Sequence, residues 1–508
     1  MANANLYAAF SASFARHRNQ HAFIEANGRS VTYAQLSESI DRYAAVLLAL
    51  GVSAGDRITV QVEKSLASVY LYLATLKVGA VYNPLNTAYT ATELDYFVTD
   101  AEPSLIVVPD LVRSVLAGPA SKSASIRIET LEADGSGTIA ELAKGAAGTV
   151  GIAERAGDDL AALLYTSGTT GRSKGAMITH DNLSSNAATL SSYWGFSQND
   201  VLLHALPIFH VHGLFVALHT ALLNGVTILW HPKFDLESVL KELPRATVMM
   251  GVPTFYTRLL SSPHLTRATV GKMRLVISGS APLLAETHIE FEARTGHKIL
   301  ERYGMTEAGM ITSNPYHGGE RVAGTVGYAL PGIDLRLRDP EGRPVPQGEP
   351  GVLEVKGPNV FSGYWRNPEK TREDFRPDGY FITGDIATIA PDGRVAIVGR
   401  AKDLIISGGF NVYPKEIETE INALDGIEES AVIGCPHPDF GEGVVAVVTR
   451  TPGTGDLNEQ QILAQLTGRL ARFKLPKKVY VVEALPRNAM GKVQKAELRK
   501  QYETTFKS

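Results

Sequence analysis

Cysteine is nearly absent from this chain, which carries one, Cys435, among its 508 residues. An internal disulfide framework is therefore excluded, and no second thiol is available to build a thiolate metal cluster. The first twenty residues contain no uninterrupted apolar stretch and do not predict a signal peptide. This cysteine usage suits a reducing compartment, and we expect a cytoplasmic location.

Long apolar runs are also scarce. Residues 213–230, GLFVALHTALLNGVTILW, lack acidic and basic side chains over 18 positions. Asn224 and Gly225 nevertheless predict a turn between a buried helix and a buried strand. Because each half is too short to cross a bilayer, we expect no membrane association.

A strong charge of one sign is missing as well. The net charge of −4 argues against a nucleic-acid binder. The charge is uneven, because the segment from Gly468 to the end carries eleven Lys and Arg against three acidic residues. This basic tail is either a solvated face or a contact for a polyanionic small molecule.

What is present is a regular alternation of helix and strand patterns. Residues 29–160 and 245–300 alternate amphipathic helices with short apolar strands, which predicts parallel sheets covered by helices. After Gly324 the short strands and Asp/Pro/Gly turns indicate a small β-rich subdomain. We predict a mixed α/β fold with a large N-terminal domain at 1–400 and a C-terminal α+β domain at 401–508.

One segment is suited to phosphate binding. Residues 165–176 read YTSGTTGRSKGA and follow a predicted strand. Glycines let backbone N–H groups approach phosphate, the hydroxyls add donors, and Lys174 adds a positive charge. The spacing is not that of a Walker A loop. A glycine-rich hinge is the alternative, and the spacing by itself does not decide between the two.

This string resembles the phosphate-binding signature of the adenylate-forming superfamily, which includes acyl-CoA synthetases, luciferases and peptide-synthetase adenylation domains. Four further segments resemble that superfamily's motifs in the same order: YGMTE at 303–307, TGD at 383–385, GRAKDLIISGGFNVYP at 399–414 and PRNAMGKVQK at 486–495. The resemblance covers essentially the whole chain. It implies a C-terminal domain that rotates about a hinge at Lys402 between adenylation and thioester formation.

The resemblance also implies roles for individual residues, with ATP, Mg²⁺ and CoA as the small molecules bound. It makes Lys492 the catalytic lysine of adenylation, Thr306 an α-phosphate donor and Glu307 the Mg²⁺-linked acid. It assigns Asp385 and Arg400 to the ribose, and Gly408 and Gly409 to the pantetheine arm of CoA. The remaining nucleotide contacts that it implies are Thr166, Ser167, Gly168, Thr169, Thr170, Gly171, Lys174, Gly279, Ser280, Ala281, Glu301, Arg302, Tyr303, Gly304 and Met305.

The acid substrate is indicated by residues outside these motifs. The segment LPIFHVHGL at 206–214 resembles the family's acyl-site motif, with His210 lining the pocket. Arg258, on a helix predicted to begin at Pro253, would suit a dicarboxylate, because a second carboxylate needs a cation when desolvated. Ser280 is predicted as a second contact. Segments such as LERYGMTEAGMITSNPY resemble the malonyl-CoA synthetase subfamily, which implies malonate, with methylmalonate as a secondary substrate.

Three other functions remain open from the sequence. One is a synthetase for an aromatic or medium-chain acid, the second is a protein that loads a separate carrier, and the third is an inactive scaffold. Lys174, Glu307, Asp385 and Lys492 argue against the scaffold because all four are present. We expect no obligate protein partner.

Overall fold

The computed structural model describes residues 3–116, 126–166, 173–339, 341–407, 410–453, 457–467, 469–470, 472–488 and 491–506. The chain divides into two compact units. The first comprises Met1–Asp334 and Val355–Phe381, and the second comprises Leu335–Glu354 and Ile382–Ser508. The β-rich residues therefore group largely with the C-terminal part, while a moving domain that begins at residue 401 stays a prediction.

The first unit contains two sheets. One has the strand order β6 (Arg127–Thr130), β5 (Leu105–Val108), β3 (Arg57–Val60), β4 (Val81–Pro84), β7 (Leu160–Thr166), β8 (Lys174–Thr179). The other has the order β15 (Tyr328–Ala329), β14 (Gly309–Ser313), β13 (Leu300–Met305), β12 (Leu275–Ser278), β11 (Val248–Gly251), β9 (Val201–His204), β10 (Thr227–Trp230), β1 (His21–Glu25), β2 (Ser30–Thr32).

The helices of this unit are α1 (Leu6–Arg16), α2 (Tyr33–Ala49), α3 (Leu66–Lys77), α4 (Ala91–Ala101), α5 (Asp110–Leu116), α6 (Thr138–Gly145), α7 (His180–Tyr193), α8 (His219–Leu223), α9 (Leu236–Glu242), α10 (Pro253–Leu260), α11 (Ala285–Thr295) and α12 (Pro368–Asp374). A π-helix, His212–Leu218, precedes α8, and a 3₁₀ turn, Leu243–Arg245, follows α9. Capping boxes begin α2, α3, α4 and α7.

The predicted alternation is confirmed. Strands β3, β4, β5 and β6 pair in parallel, as do β9 to β13, and the buried strands are continuous apolar runs. The 213–230 segment folds as helix, turn and strand, with the turn at Asn224 and Gly225 as predicted. Among the described residues, no helix combines the length and apolar character needed to span a membrane.

The second unit also contains two sheets. Strands β16 (Asp334–Arg338), β17 (Gly351–Lys356), β18 (Phe381–Ile389) and β19 (Val395–Arg400) form one, in that order. The other has the order β21 (Phe410–Val412), β20 (Ile405–Ser407), β23 (Gly441–Arg450), β22 (Ile427–His437), and β24 (Lys478–Val482) pairs with β23. A 3₁₀ turn at Ala401–Asp403 and helices α13 (Pro414–Asn422), α14 (Glu459–Leu466) and α15 (Lys495–Gln501) complete it.

Candidate active site

The phosphate-loop segment is the connection of an antiparallel hairpin. Strands β7 and β8 pair so that Thr166 lies opposite Lys174. Ser167, Gly168, Thr169, Thr170 and Gly171 lie outside the described residues. A cleft of about 390 Å³ opens beside β8, with Lys174, Arg366 and Lys370 among its lining residues. The hairpin therefore brings the lysine of the motif to a solvent-accessible cleft that is also lined by the cationic side chains of Arg366 and Lys370.

Lys174 and Glu307 are linked through an aromatic side chain. The Lys174 Nζ lies 4.9 Å from the centre of the Tyr364 ring, and the Tyr364 hydroxyl donates to Glu307 Oε1 over 3.3 Å. Glu307 and Tyr364 are both buried, and Glu307 occupies the turn between β13 and β14 rather than a helix start. Tyr364 was not predicted as a site residue, because it lies outside the motifs identified in the sequence.

One buried carboxylate fits a Mg²⁺ ion that is carried largely by nucleotide phosphates and water. Within the described residues no group of three or more His, Cys, Asp or Glu side chains could hold a metal ion. The assignment of Glu307 to Mg²⁺, which would neutralise charge at the phosphates, stays a prediction.

The loop after β12 lies beside β13. The two segments predicted to contact adenine are therefore neighbours. Ser278, at the end of β12, pairs with Glu301 on β13. Glu301 accepts from the backbone N–H of Gly324 and lies 3.4 Å from His288 Nδ1. Tyr303 is half-buried on the same strand, and Thr306 lines a narrow cleft with Asn182 and Phe215. The adenine role of Gly279–Ala281, Glu301 and Tyr303–Met305 stays a prediction.

A polar cluster of buried Arg302, His212 and Tyr256 with half-buried Ser280 lies at the carboxyl ends of β11 to β13. Arg302 packs so tightly against Gly279 that a Cβ on that glycine would lie 2.3 Å from the guanidinium carbon. Ser280, with a φ of +72°, has a strained left-handed backbone, and its hydroxyl lies 3.2 Å from His212 Nδ1. The Tyr256 hydroxyl donates to the Ile277 carbonyl.

This cluster carries unbalanced positive charge. Arg302 is 4% exposed, and its Nε and Nη2 atoms have no hydrogen-bond partner among the described residues. Burial lowers the pKa of Arg302 to about 9. Burial, followed by the Arg302 charge, holds the pKa of His212 well below its usual value, and its Nε2 atom also lacks a described partner. Such donors are costly unless an anion meets them.

The structure places Arg258 on the exposed face of α10, and its contact with malonate stays a prediction. On α10 the buried side chains are Phe255, Tyr256, Leu259 and Leu260, whereas Arg258 is exposed. Helical periodicity puts the apolar residues on one face and leaves Arg258 on the solvent side. The buried cation near α10 is instead Arg302, which sequence reasoning had placed in the nucleotide motif. His212, missed by that reasoning, lies two residues after His210, whose Nδ1 accepts from the His212 backbone N–H.

In the second unit, the two predicted ribose residues pair with each other. Asp385 on β18 and Arg400 on β19 are cross-strand neighbours, and their side chains form an ion pair of 2.6 Å. Asp385 is buried, and its backbone N–H donates to the Thr383 hydroxyl. A carboxylate oriented in this way can accept from ribose hydroxyls.

Lys492 lies on a tight turn near this pair. Its backbone N–H donates to Asn488 Oδ1, and its carbonyl accepts from the Asn488 N–H. Lys492 is an exposed residue. Desolvation of its ammonium nevertheless lowers the pKa to about 8, and the positive charge of Arg400 lowers it as well. Lys402 occupies the 3₁₀ turn after β19. Gly408 and Gly409 lie outside the described residues.

Comparison with known proteins shows which family the chain belongs to. The family model described as AMP-binding enzyme matches residues 10–365, and that described as AMP-binding enzyme C-terminal domain matches 416–492. A feruloyl-CoA synthase from an Amycolatopsis species is 37% identical, with 94% of each chain covered. A malonate–CoA ligase from Arabidopsis thaliana is 33% identical, covering 98% of this chain and 89% of that protein.

Among solved structures, ATP-bound MatB from Rhodopseudomonas palustris aligns with a TM-score of 0.96 and 56% identity. The alignment covers 99% of this chain and all of that one. The family models account for most of the sequence, including the hairpin with Lys174, the turn with Glu307 and the turn with Lys492. The chain therefore belongs to the AMP-binding enzyme family.

Proposed function

We propose that this chain is an AMP-forming acid–CoA ligase whose acid is malonate. In the first half-reaction one malonate carboxylate oxygen attacks the α-phosphorus of ATP, and pyrophosphate leaves. In the second, the thiol of CoA attacks the acyl carbon of malonyl-AMP, the proton of the thiol is lost, and AMP leaves. Products are malonyl-CoA, AMP and pyrophosphate, and methylmalonate is a secondary substrate.

The observation that carries this choice of acid is the buried guanidinium of Arg302. An acid with one carboxylate presents that group to ATP and leaves Arg302 uncompensated in a desolvated site. A dicarboxylate reacts through one end and pairs with Arg302 through the other, in a charge-assisted contact. His212 Nε2 adds a neutral donor to the same anion when its Nδ1 accepts from the Ser280 hydroxyl. The relatives named for malonate support the proposal, while the feruloyl relative names the main alternative.

The roles of the remaining residues follow from their chemistry. Lys174 and the backbone of the β7–β8 connection would hold the β- and γ-phosphates, and Glu307 would hold Mg²⁺. Asp385 and Arg400 would bind the ribose, and Lys492 would stabilise the charge that develops between the carboxylate and the α-phosphate. His210 and Thr306 would line the path of the acid and the α-phosphate.

The test is pyrophosphate release from ATP with malonate, ferulate and octanoate in turn, with and without CoA. We expect release with malonate and a CoA thioester of malonate identified by mass spectrometry. Turnover of ferulate or octanoate in the absence of malonate turnover would contradict the assignment of the acid. Malonyl transfer to a carrier protein but not to CoA would instead indicate the carrier-loading alternative.

A further inference from the structure

Lys64 is buried in the first unit without an acidic partner among the described residues. It follows β3, is 7% exposed, and its Nζ donates to His204 Nδ1 at 2.9 Å, the His204 carbonyl at 2.9 Å and the His231 carbonyl at 2.6 Å. The Trp230 ring centre lies 4.0 Å from the same atom. Burial lowers the pKa of Lys64. The three acceptors nevertheless match the three N–H donors of an ammonium, and the Trp230 ring adds a cation–π contact.

The contacts of His204 define its protonation. Its Nε2 lies 2.9 Å from the Gly213 carbonyl, which can only accept, so Nε2 carries the proton. Nδ1 is then the acceptor for Lys64, and the ring is neutral. Burial and the positive charge of Lys64 both hold the pKa of His204 well below its usual value, in agreement with this tautomer.

Gly213 connects this pair to the polar cluster. It is the second residue of the π-helix, and a Cβ there would lie 2.0 Å from the Pro207 carbonyl oxygen, so its backbone is packed without spare room. The preceding residue is His212, whose Nδ1 faces Ser280. Single π-helical turns occur frequently at functional sites because they aim a side chain out of the regular helical register.

We propose that Lys64 is a positioning residue for recognition of the acid. Through His204 it fixes the Gly213 carbonyl at the start of the π-helix, and this holds His212 beside Ser280 and Arg302. The inference rests on the proposed function only in naming the acid cluster. A role in core packing alone does not explain a lysine at this position. A buried cation with no acidic partner is costly, and an apolar residue could fill the same space.

The experiment tests two contacts separately, that of Lys64 with His204 and that of His204 with the Gly213 carbonyl. Lys64→Met removes the cation. His204→Gln keeps a donor near the position of Nε2 but loses the acceptor for Lys64, whereas His204→Asn keeps the acceptor and loses the donor to Gly213. KM values for malonate and for ATP are measured for each purified full-length variant, with thermal unfolding followed in parallel. Lys77→Met is the matched control, because Lys77 is an equally buried lysine paired with Asp41 at 2.5 Å.

We expect Lys64→Met and His204→Asn to raise the malonate KM about tenfold, the size of one buried hydrogen bond, with the ATP KM within about twofold. His204→Gln is expected to match Lys64→Met, because both remove the contact between Lys64 and the His204 ring and leave a donor for the Gly213 carbonyl. The double variant Lys64→Met/His204→Asn should lose no more than the larger single variant, because both interrupt one chain of contacts. Lys77→Met should lower the unfolding temperature without changing the ratio of the two KM values.

Equal changes in the malonate and ATP KM values, or a wild-type malonate KM in His204→Asn, would overturn the positioning role. If Lys64→Met does not fold, the two His204 variants still decide the question. Failure of the proposed function is seen separately, in the acid panel of the unmodified enzyme. If that panel identifies another acid, the same variants are measured with that acid.

Discussion

At the residue scale, burial separates two arginines, Arg258 and Arg302. Arg258 is exposed on α10, whereas Arg302 is buried against Gly279. The buried charge of Arg302 is electrostatically unfavourable unless a bound anion compensates it. The strained backbone of Ser280 is found in the same cluster. Strain and uncompensated charge tend to concentrate at functional sites, which is consistent with a ligand-binding role here.

Arg302→Met should raise the malonate KM by about a hundredfold or more, because loss of one partner of a buried charge pair costs roughly 2–5 kcal/mol. Preference should shift towards monocarboxylates, since the variant no longer buries an unpaired cation. Steady-state kinetics with malonate and butyrate measure both effects. Arg258→Ala is the control and should stay within about twofold of the parent, as expected for an exposed residue. The reverse pattern would return the acid site to Arg258.

Lys492 should give adenylation an alkaline limit. The charged ammonium is the form that stabilises the transition state, and its pKa is lowered to about 8. The rate of malonyl-AMP formation should therefore fall as pH rises through about 8, rather than near the ordinary value for lysine. Lys492→Arg should not show this fall in rate, because its guanidinium stays charged. Lys500→Ala, at an exposed lysine, should still show it. A rate that stays constant to pH 10 in the parent enzyme would contradict the assignment.

At the scale of elements, the hairpin β7–β8 and the turn between β13 and β14 are joined by Tyr364. This tyrosine contacts Lys174 through its ring and Glu307 through its hydroxyl. The parallel strands β9 to β13 bring the acid cluster together at their carboxyl ends, the usual location of sites in open α/β sheets. The two parts of the site are thus positioned by different pairs of strands.

Tyr364→Phe should weaken use of Mg·ATP and leave malonate binding unchanged. The variant keeps the ring beside Lys174 and removes the hydroxyl that donates to the Glu307 carboxylate. Loss of a hydrogen bond to a charged group corresponds to roughly 1.5–3 kcal/mol, or about ten- to a hundredfold in the KM for Mg·ATP. A Mg²⁺ titration at fixed ATP measures the effect, with Tyr256→Phe as the comparison at the acid cluster. An unchanged Mg²⁺ dependence would remove Tyr364 from the nucleotide site.

At the scale of the whole molecule, the residues proposed for catalysis belong to two compact units. Lys174, Glu307 and the acid cluster lie in the first, and Asp385, Arg400 and Lys492 lie in the second. A movement of the C-terminal part about a hinge at Lys402 between the two half-reactions stays a prediction.

Lys492→Ala should separate the two half-reactions. We expect adenylation to fall by several orders of magnitude, while thioester formation from supplied malonyl-AMP and CoA stays close to that of the parent enzyme. Single-turnover measurements of each step decide the matter. Equal loss in both steps would argue against a lysine that acts in the first half-reaction alone.

The sequence by itself determined the family, the order of the motifs and the alternation of strands and helices, and it predicted roles for Lys174, Glu307, Asp385 and Lys492. These follow from residue spacing along the chain, which short motifs record directly. Only the tertiary structure decided which arginine is buried, that His212 faces Ser280, and that Lys64 contacts His204. Burial and pairing depend on residues far apart in sequence: Lys64 and His204 are separated by 140 positions. A local pattern cannot record that distance, so the acid cluster became visible only once the parallel strands had brought its parts together.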